Sequence, residues 1–304
     1  MNTSLTSIKD IYNTPKADVH SHLHLSGTRV LLKKYYPDAD LVFPKSYDGL
    51  PGMIDFIYGH LNTIMQKGKD VECFMEMAII AAIEDNITLL EASVDVGLAR
   101  FFDNSIDHVI GIVAKLKAKY DSRIDFKPDI GVNKDLDLEK IYSDGVKCIK
   151  SGVFSNIDFY GKEDKQDLKP FVKFYNMARD YNLKTKVHIG EFSDCNTIEN
   201  TINQLQPNEI QHGIRAVDSK KVMDLILKHN IRLNICPESN VALGAVNSLK
   251  EHPIKQLFNY GINVTVSTDD LLLFNTTVSK QFEDLYNEDV FNLDEINTIR
   301  LNGF

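Results

Sequence analysis

Eight short apolar runs, separated by longer stretches, set the expected fold class of this 304-residue chain. The runs are Ala17–Leu25, Ile87–Val96, Ile124–Val132, Gly145–Val153, Thr185–Glu191, Glu209–Ile214, Arg232–Pro237 and Asn263–Thr268. Apolar residues recur with helical spacing between them, in Val71–Glu84, Ile106–Lys119, Leu168–Tyr181, Ile198–Leu205, Ser219–His229 and Ile254–Tyr260. Strands that alternate with helices are typical of α/β proteins with a parallel sheet. Eight such units in a chain of this length predict a (β/α)8 TIM barrel.

An open, doubly wound sheet is the alternative architecture. A glycine-rich GxGxxG phosphate loop, which is typical of many such sheets, is absent from the sequence. We therefore favour the barrel, with residues 1–304 forming a single domain. The irregular stretch from Pro37 to Gly68 is expected to be an insertion after strand one that covers the strand ends as a lid.

Composition excludes several classes of function. The net charge of −9 argues against a nucleic-acid-binding surface, which needs clustered lysine and arginine. The four cysteines form no CxxC pair, which suits a reducing compartment. The sequence has neither a secretory-signal pattern nor an apolar run of membrane-spanning length. We expect a cytoplasmic protein that binds no membrane.

The stretch VHSHLHLSGT (residues 19–28) carries three histidines at alternate positions, His20, His22 and His24. Residues two apart in a strand point to the same side of the sheet. Three imidazoles would therefore crowd one face, which is unfavourable unless they bind something. Alternation alone does not decide which of the three take part.

Other polar residues also fall where the predicted strands end. Together with the first strand they are His22, His24, His188, Glu191, His212, Asp269 and Asp270. The carboxyl ends of barrel strands meet on one face, where active sites are built. Imidazole and carboxylate groups are the ligands that zinc-like ions prefer, and a catalytic site keeps one position for water. The set therefore predicts a catalytic metal site.

Five segments carry a resemblance to one family. They are HLHLSGT (22–28), HIGE (188–191), HG (212–213), CPESN (236–240) and TDD (268–270). They resemble the HxHLxG(S/T), HxGE, HG, CPxSN and TDD motifs of the adenosine deaminase family of metal-dependent amidohydrolases. The resemblance spans Ala17 to about Phe274.

The resemblance implies a ligand set and a division of roles. The metal ligands for one Zn²⁺ would be His22, His24, His188 and Asp269, which leaves His20 as a core histidine. Glu191 would donate a proton to purine N1, and His212 and Asp269 would handle the attacking water. The residues that contact substrate would be Ser26, Gly152 and Asp270.

The implied reaction is hydrolytic deamination of a 6-aminopurine, adenosine or deoxyadenosine first, with the purine and water as partners. Ser26 stands where adenosine-processing relatives often carry an acidic residue, so adenine or a modified nucleoside is an alternative substrate. Lys150 and His212 leave open a two-metal amidohydrolase with a carbamylated lysine. A metal-binding barrel without catalysis is a third possibility.

Overall fold

The computed structural model describes residues 5–164 and 167–304. Eight strands lie in the order in which they occur along the chain, and every neighbouring pair is parallel. The strands are β1 (Lys16–Asp18), β2 (Ile87–Asp95), β3 (Asp125–Asn133), β4 (Asn156–Tyr160), β5 (Lys184–Ile189), β6 (Glu209–His212), β7 (Arg232–Ile235) and β8 (Val264–Val266).

Helices connect the strands and cover the outside of the sheet. The α-helices are α1 (Arg29–Tyr35), α2 (Gly49–Gly59), α3 (Gly68–Glu84), α4 (Ile106–Tyr120), α5 (Leu138–Lys150), α6 (Lys169–Asp180), α7 (Cys195–Leu205), α8 (Lys220–Lys228), α9 (Pro237–Ala242), α10 (Ile254–Asn259), α11 (Leu271–Phe274), α12 (Val278–Asn287) and α13 (Leu293–Leu301). Short 3₁₀ turns cover Ile8–Asn13, Leu23–Leu25, Leu61–Thr63, Val96–Phe101, Ile214–Asp218 and Leu249–Glu251. No helix in the described ranges is long and apolar enough to cross a membrane.

The first and last strands meet just beyond their regular ends, which brings the sheet close to closure. Ser21 and Asp269 form a parallel bridge. The Asp269 N–H donates to the His20 carbonyl over 2.9 Å, and the His22 N–H donates to the Asp269 carbonyl over 3.2 Å. The (β/α)8 barrel predicted from the alternation is confirmed. Its seam, the contact between the ends of the first and last strands, lies at the histidine run and Asp269.

The fourth strand was predicted in the wrong place. Residues 145–150 belong to α5, and β4 follows at Asn156–Tyr160. The buried residues of α5 recur every three or four positions, at Ile141, Gly145, Cys148 and Ile149, which is helical spacing. Gly145 fits this helix because a Cβ there would lie 2.5 Å from the Phe174 ring.

This shift removes Lys150 from the strand ends. Lys150 is an exposed residue at the C-terminal end of α5, before β4 begins. In a barrel, the segment that precedes a strand lies at the face opposite the active site. A strand-four lysine bridging two metals, as required by the two-metal hydrolase, is therefore contradicted for Lys150.

The insertion between Pro37 and Gly68 lies over the carboxyl ends of the strands, as expected. Its main element is α2, whose buried side chains Met53 and Phe56 pack with Leu243 and Leu273. This small apolar cluster is separate from the main core between the strands and the outer helices. The insertion therefore roofs the face on which the strand-end residues converge.

Candidate active site

The predicted catalytic residues lie at the ends of β5, β6 and β8. His188 is in β5, His212 ends β6, and Asp269 follows β8. His212 and Asp269 both have left-handed backbone conformations, with φ of 67° and 58°. Such a conformation is unfavourable by about 1–2 kcal/mol for a residue with a Cβ. Backbone strain of this kind clusters at functional sites, where the surrounding structure holds it in place.

Three histidines and one aspartate form a compact group beneath the insertion. Ring nitrogens of His20, His22 and His188 lie within 4.8 Å of one another. The Asp269 Oδ1 atom is 3.7 Å from His20 Nε2 and 3.6 Å from His22 Nε2. His22 is half-buried and the other members are buried, and the group offers imidazole nitrogens and a carboxylate oxygen, the donor set of a zinc-type ion.

The hydrogen bonds of His20 fit a metal ligand. Its Nδ1 lies 2.9 Å from the Asn234 carbonyl oxygen, which can only accept, so Nδ1 carries the hydrogen. Nε2 is then a lone-pair nitrogen, and it has no hydrogen-bond partner among the described residues. An unpartnered buried nitrogen that faces other ligand atoms is what a metal site requires when no ion is present.

Neighbouring side chains hold two other members of the group. His188 Nε2 lies 3.1 Å from Asp158 Oδ2. Burial opposes ionisation of Asp158, but the adjacent His188 outweighs it and holds the pKa of that carboxyl well below its usual value. Ser239 donates its hydroxyl to Asp269 Oδ2 over 2.6 Å, which leaves Oδ1 to face the histidines.

The structure does not bring His24, predicted as a metal ligand, into the group with the other histidines. The metal-compatible groups found in the described residues include His20 and His22 but not His24. Regular strand β1 ends at Asp18, and Leu23–Leu25 forms a 3₁₀ turn, so the alternation that would align His24 with His22 stops. His24 instead lines the cavity, and burial, reinforced by the nearby His22, lowers its pKa to about 3.

Glu191 is buried among polar partners. Asn240 Nδ2 lies 2.6 Å from Glu191 Oε1, and His212 Nε2 lies 3.5 Å from Glu191 Oε2. Burial, followed by the charges of Asp269 and Glu163, raises the pKa of Glu191 well above its usual value. Burial and the adjacent His188 lower the pKa of His212. Both shifts favour a protonated carboxyl beside a neutral imidazole.

The loop that carries Glu191 is held by hydrogen bonds to Glu163, which follows β4. The Glu163 carboxylate accepts from the backbone N–H groups of Gly190, Glu191, Phe192 and Ser193 over 2.8–3.1 Å. Charge-assisted bonds of this type are stronger than neutral ones. Four of them to one carboxylate fix the path of the loop from His188 to Glu191.

The structure places two predicted substrate contacts, Ser26 and Gly152, outside the cavity lining. The Ser26 hydroxyl is buried and directed at the backbone carbonyls of His22 and Asp269, at 2.8 and 3.0 Å, so it supports the β1–β8 seam. Gly152 is exposed in the turn between α5 and β4, at the opposite end of the barrel. The glycine at the carboxyl end of β4 is Gly161, which lines the cavity.

The cavity above the histidines measures about 260 Å³. Its upper wall is apolar and comes mainly from α2, through Leu50, Met53, Ile54 and Ile57. Its floor is polar, with His22, His188, Glu191, His212, Asp269 and Asp270. Burial raises the pKa of Asp270 to about 8, and its Oδ1 has no partner among the described residues. The volume suits a small polar ligand with one apolar face.

Sequence reasoning missed several of these residues. His20 was available in the histidine run, but the motif spacing favoured the later pair. Glu163 and Gly161 follow the true β4, so the misplaced strand concealed them. Asn240 lay inside the quoted CPESN motif without an assigned role.

Comparisons with known proteins identify the family of the chain. The family profile described as adenosine deaminase matches residues 133–304. A Treponema pallidum protein described as an adenosine/adenine deaminase is 33% identical over 281 residues, covering 92% of this chain and 94% of that protein. An adenine deaminase of Psychrobacter cryohalolentis is 24% identical, covering 97% and 92%.

Among solved structures, an adenine deaminase from Arthrobacter aurescens superposes with a TM-score of 0.83 at 20% identity, covering 95% of this chain and 92% of that one. This likeness concerns the fold, whereas the profile and the Treponema relative establish kinship in sequence. The chain belongs to the adenosine deaminase family, whose members are hydrolases that act on carbon–nitrogen bonds.

Proposed function

We propose that this protein catalyses hydrolytic deamination of an unphosphorylated 6-aminopurine, in the first place adenosine or deoxyadenosine, to the 6-oxopurine and ammonia. The observation that carries the proposal is the buried Glu191 beside His212 in the cavity that the histidine group lines. A protonated carboxyl is useful there because purine N1 must gain a proton as C6 is attacked.

In this proposal one zinc-type ion is held by His20, His22, His188 and Asp269. The support is the unpartnered His20 Nε2, the close approach of the other ring nitrogens and the free Asp269 Oδ1. When bound, such an ion would lower the pKa of water from about 15.7 towards about 7 and so supply a nucleophile at neutral pH.

The side chains would act on water and purine as follows. Glu191 holds a proton and delivers it to N1, which makes C6 more electrophilic. The neutral His212 orients the water, and Asp269 accepts a proton from it. Asp270 hydrogen-bonds to N7, and the backbone N–H of Gly161 takes the N3 contact that the resemblance assigned to Gly152.

Charge favours a neutral substrate. Besides Glu191 and Asp270, whose pKa values are raised, the described cavity lining contains Asp95, Glu163 and Asp269 against one arginine, Arg100. A phosphate group would gain little from this lining, because phosphate is recognised by clustered cationic donors. The net charge of −9 argues against nucleic acid as a partner, and four cysteines without a CxxC pair favour a cytoplasmic location.

Adenine or a modified adenine nucleoside is the second candidate. It is supported by the Ser26 hydroxyl, which bonds to backbone and so offers no ribose contact, and by the adenine deaminase names of relatives. A metal-binding barrel without catalysis is less well supported, since both Glu191 and His212 lie in the cavity.

The test is ammonia release by zinc-loaded protein with adenosine, deoxyadenosine, adenine, methylthioadenosine and AMP. We expect release from at least one neutral 6-aminopurine and none from AMP. Release from adenine alone would reassign the substrate within the same chemistry. No ammonia release from any substrate of the panel, with metal bound and the fold intact, would contradict the proposal.

A further inference from the structure

A buried chain of hydrogen bonds runs from the start of α10 to the two side chains that face each other in the cavity. The Ile254 N–H donates to His252 Nδ1 over 3.0 Å. His252 Nε2 lies 3.1 Å from Asn240 Oδ1. Asn240 Nδ2 lies 2.6 Å from Glu191 Oε1 and 3.2 Å from His212 Nδ1. Asn240 and His252 are 0% and 4% exposed, so water does not compete for these groups.

The direction of every bond follows from its first donor. A backbone N–H can only donate, so His252 Nδ1 must be an acceptor. Burial lowers the pKa of His252 to about 3, so the ring is neutral at working pH and its single hydrogen is on Nε2. Nε2–H then donates to Asn240 Oδ1, and this fixes which end of the Asn240 amide is oxygen.

The Asn240 amide nitrogen consequently has two acceptors, one on each catalytic side chain. Glu191 Oε1 accepts from it, which fixes how the carboxyl is turned and leaves Oε2 towards His212. His212 Nδ1 also accepts from it, so the hydrogen of the neutral imidazole lies on Nε2. Oε2 and Nε2 are the two atoms that face each other, 3.5 Å apart.

We propose that Asn240 and His252 are positioning residues that fix the orientation of the Glu191 carboxyl and the nitrogen of His212 bearing its hydrogen. The chain acts through other residues, since His252 does not line the described cavity. This inference rests on the proposed function for the role of Glu191 as an acid. The hydrogen positions themselves do not depend on it.

The first test is ¹⁵N NMR of the side-chain imidazoles in the purified, metal-loaded protein at pH 7. We expect His252 and His212 both to be neutral Nε2–H tautomers. An Nδ1–H tautomer of either ring, or a charged His252, would overturn the proposal. This readout needs no turnover, so it separates failure of the proposed hydrogen-bond chain from failure of the proposed function.

The second test compares three variants on the best substrate of the panel. In His252→Leu the Asn240 amide is free to turn its oxygen towards Glu191, and we expect kcat to fall about 10- to 100-fold with KM changed less than about twofold. In His252→Gln the amide nitrogen of the introduced side chain can replace His252 Nε2 as the donor to Asn240 Oδ1. We expect this variant to recover at least half of the loss in kcat on a logarithmic scale. Leu257→Ala, a buried truncation on α10, the helix that follows His252, is the matched control for lost packing.

A structural role alone would lower the melting temperature of His252→Leu and Leu257→Ala together and leave kcat of both near wild type. That result would overturn the proposal. Selective loss of kcat in His252→Leu, with recovery in His252→Gln, supports it. If the wild type deaminates no purine of the panel, the proposed function fails. The NMR tautomers of His252 and His212 then test the positioning role on their own.

Discussion

At the residue scale, Glu191 combines burial with a hydrogen bond from Asn240 to one of its oxygens. Its pKa is raised by burial first and by neighbouring carboxylates second, while the Asn240 amide partly opposes the shift. The raised pKa favours the protonated carboxyl, and the bond from Asn240 fixes how the carboxyl is turned. The proposed reaction depends on both properties.

Replacing Glu191 by glutamine tests its role as proton donor. Glu191→Gln keeps the shape and the acceptor for Asn240 but removes the transferable proton. We expect kcat to fall about 10²- to 10⁴-fold, with KM within a few-fold of wild type. Steady-state kinetics measures this, with Glu139→Gln, an exposed glutamate on α5, as the control. Near-normal kcat would remove Glu191 as the acid.

The choice among the three histidines is also a residue-scale prediction. His20→Ala removes a nitrogen that faces Asp269 Oδ1, so we expect bound zinc to fall well below about one ion per chain. His24→Ala should keep the metal, because His24 lies outside the metal-compatible groups of the described residues. Elemental analysis after zinc loading and desalting measures both. Loss of metal in His24→Ala and retention in His20→Ala would restore the pair predicted from the sequence.

The sequence could not make this choice for a physical reason. Three alternating histidines satisfy the same spacing twice, once as His20 and His22 and once as His22 and His24. Only the end of regular strand pairing, followed by the turn at Leu23–Leu25, separates the two pairs. That turn depends on contacts with other segments, which a local pattern does not contain.

At the element scale, the predicted helices agree closely with the observed ones, because their buried faces recur with helical spacing. The helix predicted at Ile106–Lys119 is α4, and the one at Ser219–His229 contains α8. The error at strand four arose where α5 ends and β4 begins within a few residues. Both carry apolar residues, and periodicity over so short a run does not separate a buried helix from a buried strand.

The loop after β5 gives an element-scale prediction. Glu163→Gln removes the charge that holds four backbone N–H groups between residues 190 and 193. We expect faster hydrogen exchange at these amides and a kcat reduced about tenfold, because Glu191 loses its fixed approach. Exchange mass spectrometry with Glu139→Gln as control measures the first effect. Unchanged exchange in this loop would show that Glu163 does not hold it.

At the scale of the whole molecule, the charged interior below the site shows how the barrel accommodates polar groups. Lys186 is fully buried and lies 2.7 Å from Glu91 and 2.6 Å from Asp129, on strands β5, β2 and β3. Burial opposes its charge, but these carboxylates outweigh burial and raise the pKa of Lys186. Paired charges can stay ionised at this depth, in contrast to the unpaired Glu191.

Global stability should therefore depend on pH through Glu191. Its folded pKa is raised, so the folded state binds more protons than the unfolded state above the unfolded value of about 4.3. The free energy of unfolding then falls as pH rises from about 4.3 towards the folded pKa of Glu191, by up to about 1.4 kcal/mol per pH unit.

Glu191→Gln removes this titration. We expect the variant to be more stable than the wild type at pH 7, with a difference that shrinks towards pH 4. Chemical denaturation at several pH values measures the difference. A gap that stays constant with pH, or a less stable variant at pH 7, would mean that Glu191 is ionised in the folded protein.

The central claim, that the barrel adds water to a 6-aminopurine and expels ammonia, is tested most directly by turnover in ¹⁸O-labelled water. The zinc-loaded protein is incubated with the most active substrate of the panel, and the purine product is analysed by mass spectrometry. We predict a 6-oxopurine that carries the solvent oxygen at C6, with one ammonia released per product. Recovery of the unchanged purine from metal-loaded, folded protein, or cleavage of its glycosidic bond in place of deamination, would contradict the account.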